Sequence, residues 1–203
     1  MSRLLPSAPG APDPLVRQAL RDAAIQFCED TGVIRVTTDP EMTEVGVNSY
    51  DIDLPAETEL SRVIAVWVGG RKFPTAPEVT VSDVAAFYPE HGATGHPYVV
   101  VGDGALVIVP APAKSGQEII VRASTRPTRT ANKVDDQLFD KWGDAIVNGA
   151  LFRLCSTPGQ PFTDMVRAQQ CGSMFYAMVG RAKIDANRGG VIGSISVKSR
   201  PFV

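Results

Sequence analysis

Three stretches of the chain place apolar residues at the three- and four-residue steps of an amphipathic helix. The first covers residues 14–31. Its inward positions are Leu15, Ala19, Leu20, Ala23, Ala24, Phe27 and Cys28. Asp13 is the expected N-cap, Pro14 suits the first turn, and Gly32 is the expected end of the helix.

The second predicted helix covers residues 134–155, and the third covers residues 163–187. The inward positions of the second are Leu138, Trp142, Ala145, Ile146, Gly149 and Phe152. Those of the third are Ala168, Cys171, Phe175, Met178, Val179 and Ala182. Ser-Thr-Pro-Gly at 156–159 ends the second helix, and Asn187 with the glycines at 189–190 ends the third. Three amphipathic faces predict one shared helical core, because each face would otherwise be exposed.

Between the first two helices the hydrophobic period changes from 3.6 to 2, which is typical of β-strands. The predicted strands cover residues 49–54, 61–68, 98–101, 105–109 and 118–124. Gly69-Gly70 and Gly102-Asp103-Gly104 are the expected hairpin turns. Several short antiparallel strands predict a small sandwich or barrel.

The sequence therefore predicts an α+β fold: a bundle of three main helices with an inserted antiparallel β domain and an extended C-terminal arm. The expected divisions are a flexible leader at 1–12, a helical bundle at 13–32 and 133–188, a β-rich insert at 33–132, and the arm at 189–203.

The last thirteen residues, 191–203, alternate apolar and polar positions but follow the helices without a neighbouring strand in sequence. A lone strand is unstable in water. Three interpretations stay open: a frayed terminus, a final strand added to the sheet of the insert, or an arm that pairs with a neighbouring subunit or another protein.

The charge balance, the apolar runs and the cysteines of the chain argue against several classes of function. Twenty basic and 22 acidic residues among 203 give a net charge of -2, which does not favour coating of nucleic acid or of an anionic membrane. No apolar run reaches the ~20 residues of a membrane-spanning helix, and residues 1–12 lack the features of a signal peptide. The three cysteines, Cys28, Cys155 and Cys171, are expected to be reduced core thiols, as in a cytoplasmic protein.

Candidate chemistry is sparse. His91 and His96 share a loop and could be two metal ligands, but no Cys or Asp at metal-binding spacing accompanies them, so an exposed loop is the favoured interpretation. Asp51 and Asp53 are more simply explained as strand-edge residues than as acid and base. We predict no catalytic residue, no metal site and no cofactor.

Basic and aromatic side chains offer candidate binding surfaces. The basic residues cluster as Arg122, Arg126, Arg129 and Lys133, and as Arg181, Lys183, Arg188, Lys198 and Arg200. A solvated face is the favoured interpretation, and the alternative is contact with DNA in a channel or with acidic partners. The candidate aromatic anchors are Trp67, Phe73, Phe87, Tyr88, Tyr176 and Phe202, of which Trp67 and Phe87 are assigned to the core of the insert.

Four short motifs resemble the head-tail adaptor proteins of tailed bacteriophages, including the tail-tubular type of short-tailed phages. They are ALRDAAIQFC at 19–28, YDIDLP at 50–55, IVNGALFRL at 146–154 and PGQPF at 158–162, and the resemblance spans most of residues 13–188. It implies a non-enzymatic virion protein, made in the host cytoplasm, that forms a ring, commonly a dodecamer, under the capsid portal. Such a ring extends the DNA channel, where it contacts DNA non-specifically, and carries the tail or nozzle protein without contact with a membrane.

The resemblance also assigns residues. A portal-binding arm would comprise Val191, Ile192, Ile195, Val197, Lys198, Arg200 and Phe202. Tyr176, Arg181 and Arg188 are candidates for the interface between subunits. Two other hypotheses stay open: a β-domain binding module of another virion or surface assembly, and a hydrolase with a site around His91 or His96.

Overall fold

The chain runs from helix to strands and back to helices, as the hydrophobic pattern predicts. The computed structural model describes residues 8–75, 98–102, 104–134 and 136–188. Within these ranges the helices are α1 (Asp13–Thr31), α2 (Asp136–Cys155) and α3 (Met165–Asn187). The strands are β1 (Arg35–Thr37), β2 (Glu41–Met42), β3 (Ser49–Asp51), β4 (Thr58–Val68), β5 (Arg71–Phe73), β6 (Tyr98–Gly102), β7 (Ala105–Val109) and β8 (Glu118–Pro127). The predicted α+β class is confirmed.

The start of α1 differs from the prediction. Pro12, not Asp13, is the N-cap, and its carbonyl accepts hydrogen bonds from the N–H groups of Leu15 and Val16 at 3.0 and 3.1 Å. Asp13 is instead the first helical residue, where its charge meets the positive end of the helix dipole. Gly32 ends the helix in a left-handed conformation, as predicted.

The buried face of α1 also differs by one position. Val16 is fully buried, whereas Leu15, which was predicted to point inward, is 39 % exposed. Val16 lies three and seven residues before Ala19 and Ala23, so it shares their face of the helix, and Leu15 falls on the flank.

All three helices share one core, as predicted. It contains Phe27 and Ala23 from α1, Ile146 from α2 and Phe175 from α3. The helices approach closely at Gly149 of α2, where an added Cβ would lie 2.8 Å from the Phe175 ring and 3.0 Å from the Ala23 Cβ. The end of the predicted leader contributes too, because Ala8 is buried in the same core.

The strands form two antiparallel sheets. Among the described residues, one sheet has the order β1-β8-β4-β5 with β2 also paired to β8, and the other has the order β3-β7-β6. Both sheets contribute to one core: Tyr50, Val99, Leu106 and Ile108 meet Val66, Val68, Ile119, Val121 and Ala123. The insert is therefore a sandwich, one of the two predicted forms. The short strands β1, β2 and β5 were missed because no sustained alternation of apolar and polar residues marks them, whereas β3 was predicted but is shorter than the expected 49–54.

The turns follow the predicted glycines. Gly69 and Gly70 have φ values of 55° and 77° and connect β4 to β5 in a two-residue hairpin. Gly102 pairs with Ala105, so the second predicted turn connects β6 to β7.

The insert returns the chain to the place where it left α1. Its first and last strands are neighbours, with Arg35 paired to Ser124. Arg126 of β8 forms an ion pair with Glu29 of α1 and a second with Glu59 of β4, at 3.1 Å between Nε and Oε1. These contacts place the sandwich against the C-terminal end of α1.

The Gly149→Ala variant tests the close approach of the helices. We expect it to lower the free energy of unfolding by about 1–3 kcal/mol, because the new methyl group must displace Phe175 or Ala23. Gly180→Ala is the matched control: Gly180 is exposed on α3 with open space around it, so Ala should raise stability by about 0.5–1 kcal/mol. Urea unfolding measures both, and equal stability of Gly149→Ala and the wild type would contradict this packing.

Candidate interaction surface

Helix α3 is covered on one side only. Its buried residues are Ala168, Cys171, Gly172, Phe175, Val179, Ala182 and Ala186, which face α1 and α2. Among the described residues, no element covers the opposite side of the helix. That opposite side is therefore open to contact with another chain.

The uncovered side carries a row of apolar and small residues that we call the outer strip. It consists of Val166, Ser173, Ala177, Gly180 and Ile184, all exposed. The steps of seven, four, three and four residues keep the five on one side of the helix. Val166 is 70 % exposed and Ile184 is 52 % exposed. The small residues in the middle would let another backbone approach closely.

Tyr176 lies on one flank of the outer strip. Its ring packs edge-on against Phe175 at 5.3 Å and Phe152 at 6.4 Å between centroids, while about half of its surface stays exposed. These contacts restrict the ring and present its outer edge to solvent. A fixed, half-exposed aromatic ring is typical of an interface anchor.

Arg181 and Arg188 lie on the other flank of the outer strip, seven residues apart and therefore on one line along α3. Both are exposed, and neither forms an ion pair with another described residue. Tyr176 and Arg181 are separated by about 140° around the helix axis. The structure thus places the three predicted interface residues on one helix but on opposite sides of the strip, not in one patch.

The outer strip was missed in the sequence, although a signal was present. Val166, Ala177 and Ile184 repeat at helical steps opposite the predicted inward face. The exposed Gln170 also lies in that row, and Ser173 and Gly180 are polar or small, so the mean hydropathy of the row is low and its pattern is that of an ordinary solvent-exposed side of a helix.

Several other predicted residues are located differently or lie outside the described ranges. The prediction that Trp67 belongs to the core of the insert is wrong. Trp67 lies on the outer face of the sheet, beside Lys72 and Ile120, because its neighbours Val66 and Val68 point inward. Arg126 is engaged in ion pairs, whereas Arg122, Arg129 and Lys133 are exposed. Two groups of predicted residues lie outside the described ranges. The first group is the arm, with Val191, Ile192, Ile195, Val197, Lys198, Arg200 and Phe202, and the second is Phe87, Tyr88, His91 and His96 of the insert.

The described part of the chain offers little reactive chemistry. Cys28, Cys155 and Cys171 are buried and not disulfide-bonded, as predicted. Burial raises the pKa of the Cys155 thiol, and the nearby positive charge of Arg167 opposes that rise.

Within the described ranges, no group of three His, Cys, Asp or Glu side chains could hold a metal ion. None of the described helices combines the length and the apolar character that crossing a membrane requires.

Comparison with models of known protein families gives a match that covers most of the chain. A family model described as SU10 adaptor protein matches residues 2–195, a range that contains every helix and strand of the structure. A search of curated proteins found no match.

Thiol labelling tests whether the cysteines are as inaccessible as the structure indicates. At about pH 8 we expect the native chain to react with DTNB at least about tenfold more slowly than the urea-unfolded chain, because all three thiols are buried and burial also raises the pKa of Cys155. Ser173→Cys, which adds a thiol on the outer strip, is the positive control and should react rapidly in the native chain. Rapid labelling of the native wild-type chain would contradict the buried positions.

Proposed function

Because the chain belongs to the SU10 adaptor protein family, a family of phage head-tail adaptors, we propose that it forms a ring between the capsid portal and the tail. The family match over residues 2–195 is the observation that carries this proposal. The ring extends the DNA channel and provides the platform to which the tail or nozzle protein attaches. It resides at the head-tail junction of the virion, after synthesis in the host cytoplasm.

A ring requires two different complementary surfaces on each subunit, because its interfaces are head-to-tail. We assign the outer strip of α3 to one of them. Its small residues allow a helix of the next subunit to pack closely, and Val166 and Ile184 supply apolar area that is exposed in the single chain. A stable interface of this kind buries on the order of 1,600 Å² in total.

The flanks of the outer strip suit the edge of such an interface. Tyr and Arg are the residue types that contribute most often to binding energy. Tyr176 would insert its exposed ring edge on one side, and Arg181 and Arg188 would meet acidic groups or DNA phosphates on the other. In our proposal the contact with DNA is non-specific, because a cation that meets a phosphate reads no base sequence.

We assign residues 191–203 to contact with the portal. They begin three residues after Arg188, which lies on a flank of the outer strip, so the arm is attached to the chain beside the proposed interface between subunits. Their alternating apolar and polar positions suit addition of a strand to a partner. The proposed role is structural and needs no catalytic residue, which accords with the buried positions of the cysteines.

The portal-binding role is tested with the cognate portal ring. We expect Ile195→Asp/Val197→Asp to reduce co-sedimentation of the chain with portal rings at least about tenfold, because two charges replace the apolar side of the arm. His91→Ala/His96→Ala is the control and should bind like the wild type, since the proposed function uses neither histidine. Unchanged binding of the arm variant would contradict the assignment.

The subunit interface is tested separately by Ile184→Asp. Ile184 is half exposed, so the single chain should keep its fold and its far-UV circular dichroism. On portal rings we expect the variant to form incomplete rings, with the bound copy number measured by mass photometry, because the new charge would be buried between subunits. Val45→Asp is the matched control, since Val45 is an apolar residue on the insert that is 63 % exposed, against 52 % for Ile184. Complete rings of Ile184→Asp would exclude the outer strip as the interface.

A further inference from the structure

A groove of about 510 Å³ opens between the edges of the two sheets. One wall is formed by residues 38–41, which connect β1 to β2, and the other by residues 50–53, at and after β3. The side chains of Leu106, Ile119 and Val121 form an apolar floor. The volume lies within the ~300–1,000 Å³ that is common for binding sites.

The rim of this groove is acidic. Asp39 and Glu41 lie on one wall, and Asp51 and Asp53 lie on the other, all of them exposed. Among the described residues, no Lys or Arg lines the groove, and none of the four carboxylates forms an ion pair or side-chain hydrogen bond with another of these residues. Four negative charges around an apolar floor favour a ligand that is both basic and apolar.

One wall also offers an open strand edge. On its inner side, β3 pairs with β7: the Asn48 carbonyl accepts from the Ile108 N–H at 2.8 Å, and the Ile52 N–H donates to the Gly104 carbonyl at 3.2 Å. In an antiparallel pair the residues between such bonds turn their backbone groups the other way. Ser49 therefore presents its N–H and C=O to a side on which no described strand pairs with β3.

We propose that this groove binds the chain's own C-terminal segment, residues 191–203, as an added strand along β3. The segment contains no acidic residue and carries Lys198 and Arg200, so its charge is complementary to the rim. In an extended conformation, Ile195 and Val197 share one side and Lys198 lies on the other. The apolar side fits the floor, and the basic side fits the carboxylates.

The segment begins close enough to reach the groove. At the end of α3, the Ala186 carbonyl accepts a hydrogen bond from Arg35 Nη2 at 2.6 Å, which fixes this end of the helix beside β1. Thr38, the first residue of the groove wall, follows Arg35 by three residues and so lies within about 11 Å of it. The fifteen residues after Arg188 span up to about 50 Å when extended, which exceeds the distance required.

This inference concerns the isolated subunit and does not depend on the proposed ring. Where the same segment also binds the portal, the groove and the portal compete for it. The groove then holds the arm before assembly, and the arm covers the open edge of β3, a feature that otherwise promotes unwanted association.

Limited proteolysis of the full-length chain tests the proposal without a portal. Trypsin can cut the Lys198–Ser199 bond, whereas Arg200 is followed by Pro201 and resists cleavage. We expect this bond to be cut at least about tenfold more slowly in the full chain than in a free peptide of residues 189–203, because cleavage requires release from the groove. Mass spectrometry of the fragments gives both initial rates.

Two double variants test whether the rim charges of the groove, and not some other contact, protect the Lys198–Ser199 bond from trypsin. Asp51→Asn/Asp53→Asn removes two rim charges, and we expect its cleavage rate to approach that of the peptide. Asp30→Asn/Asp140→Asn removes the same charge from exposed or half-exposed helical positions and should be cut like the wild type. Circular dichroism checks the fold of both variants.

Three results would overturn the proposal. The first is equal cleavage of the full chain and the peptide, and the second is unchanged protection in the Asp51→Asn/Asp53→Asn variant. The third is protection that rises with protein concentration, because a second copy would then supply the segment. Protection that is independent of concentration and weakens with added salt supports docking within one chain.

Discussion

The packing of α1 against α2 holds the two ends of the β insert together, and the rest of the structure depends on it. The chain leaves the bundle after Gly32 and returns to it at α2, so closing this loop of about a hundred residues costs entropy. Burial of residues such as Phe27 and Phe175 in the shared core offsets that cost. The closest approach, at Gly149, requires a residue without a side chain.

The same packing explains how the insert is built. Since the helices bring its two ends together, the first strand can pair with the last, and Arg35 lies opposite Ser124. The sandwich then rests on α1 through the ion pair of Arg126 and Glu29. Among the described residues, the surfaces that the helical layer and the two sheets leave uncovered include the outer side of α3 and the open edge of β3.

Both uncovered surfaces are suited to binding other polypeptide segments. The outer strip combines exposed apolar side chains with small residues, and the groove combines an apolar floor with an acidic rim. Such surfaces are what a protein of an adaptor family needs, because its work is to hold other proteins in place. The cysteines, the most nucleophilic side chains among the described residues, are enclosed in the interior.

The sequence by itself determined the three helices, the longer strands of the sandwich and the shared core, because hydrophobic period reports which side of each element is buried. It misplaced Asp13 at the start of α1 and Trp67 in the sheet. At both places a shift of one residue changes the result, which is the identity of the N-cap in the helix and the buried face in the strand. Only the tertiary structure decided which side chains lie together on each exposed surface. Tyr176 and Arg181 lie on opposite flanks of one strip because α1 and α2 cover a single side of α3. Similarly, Asp51 faces the loop before β2 because the edges of two separate sheets meet there, through contacts between residues far apart in the chain.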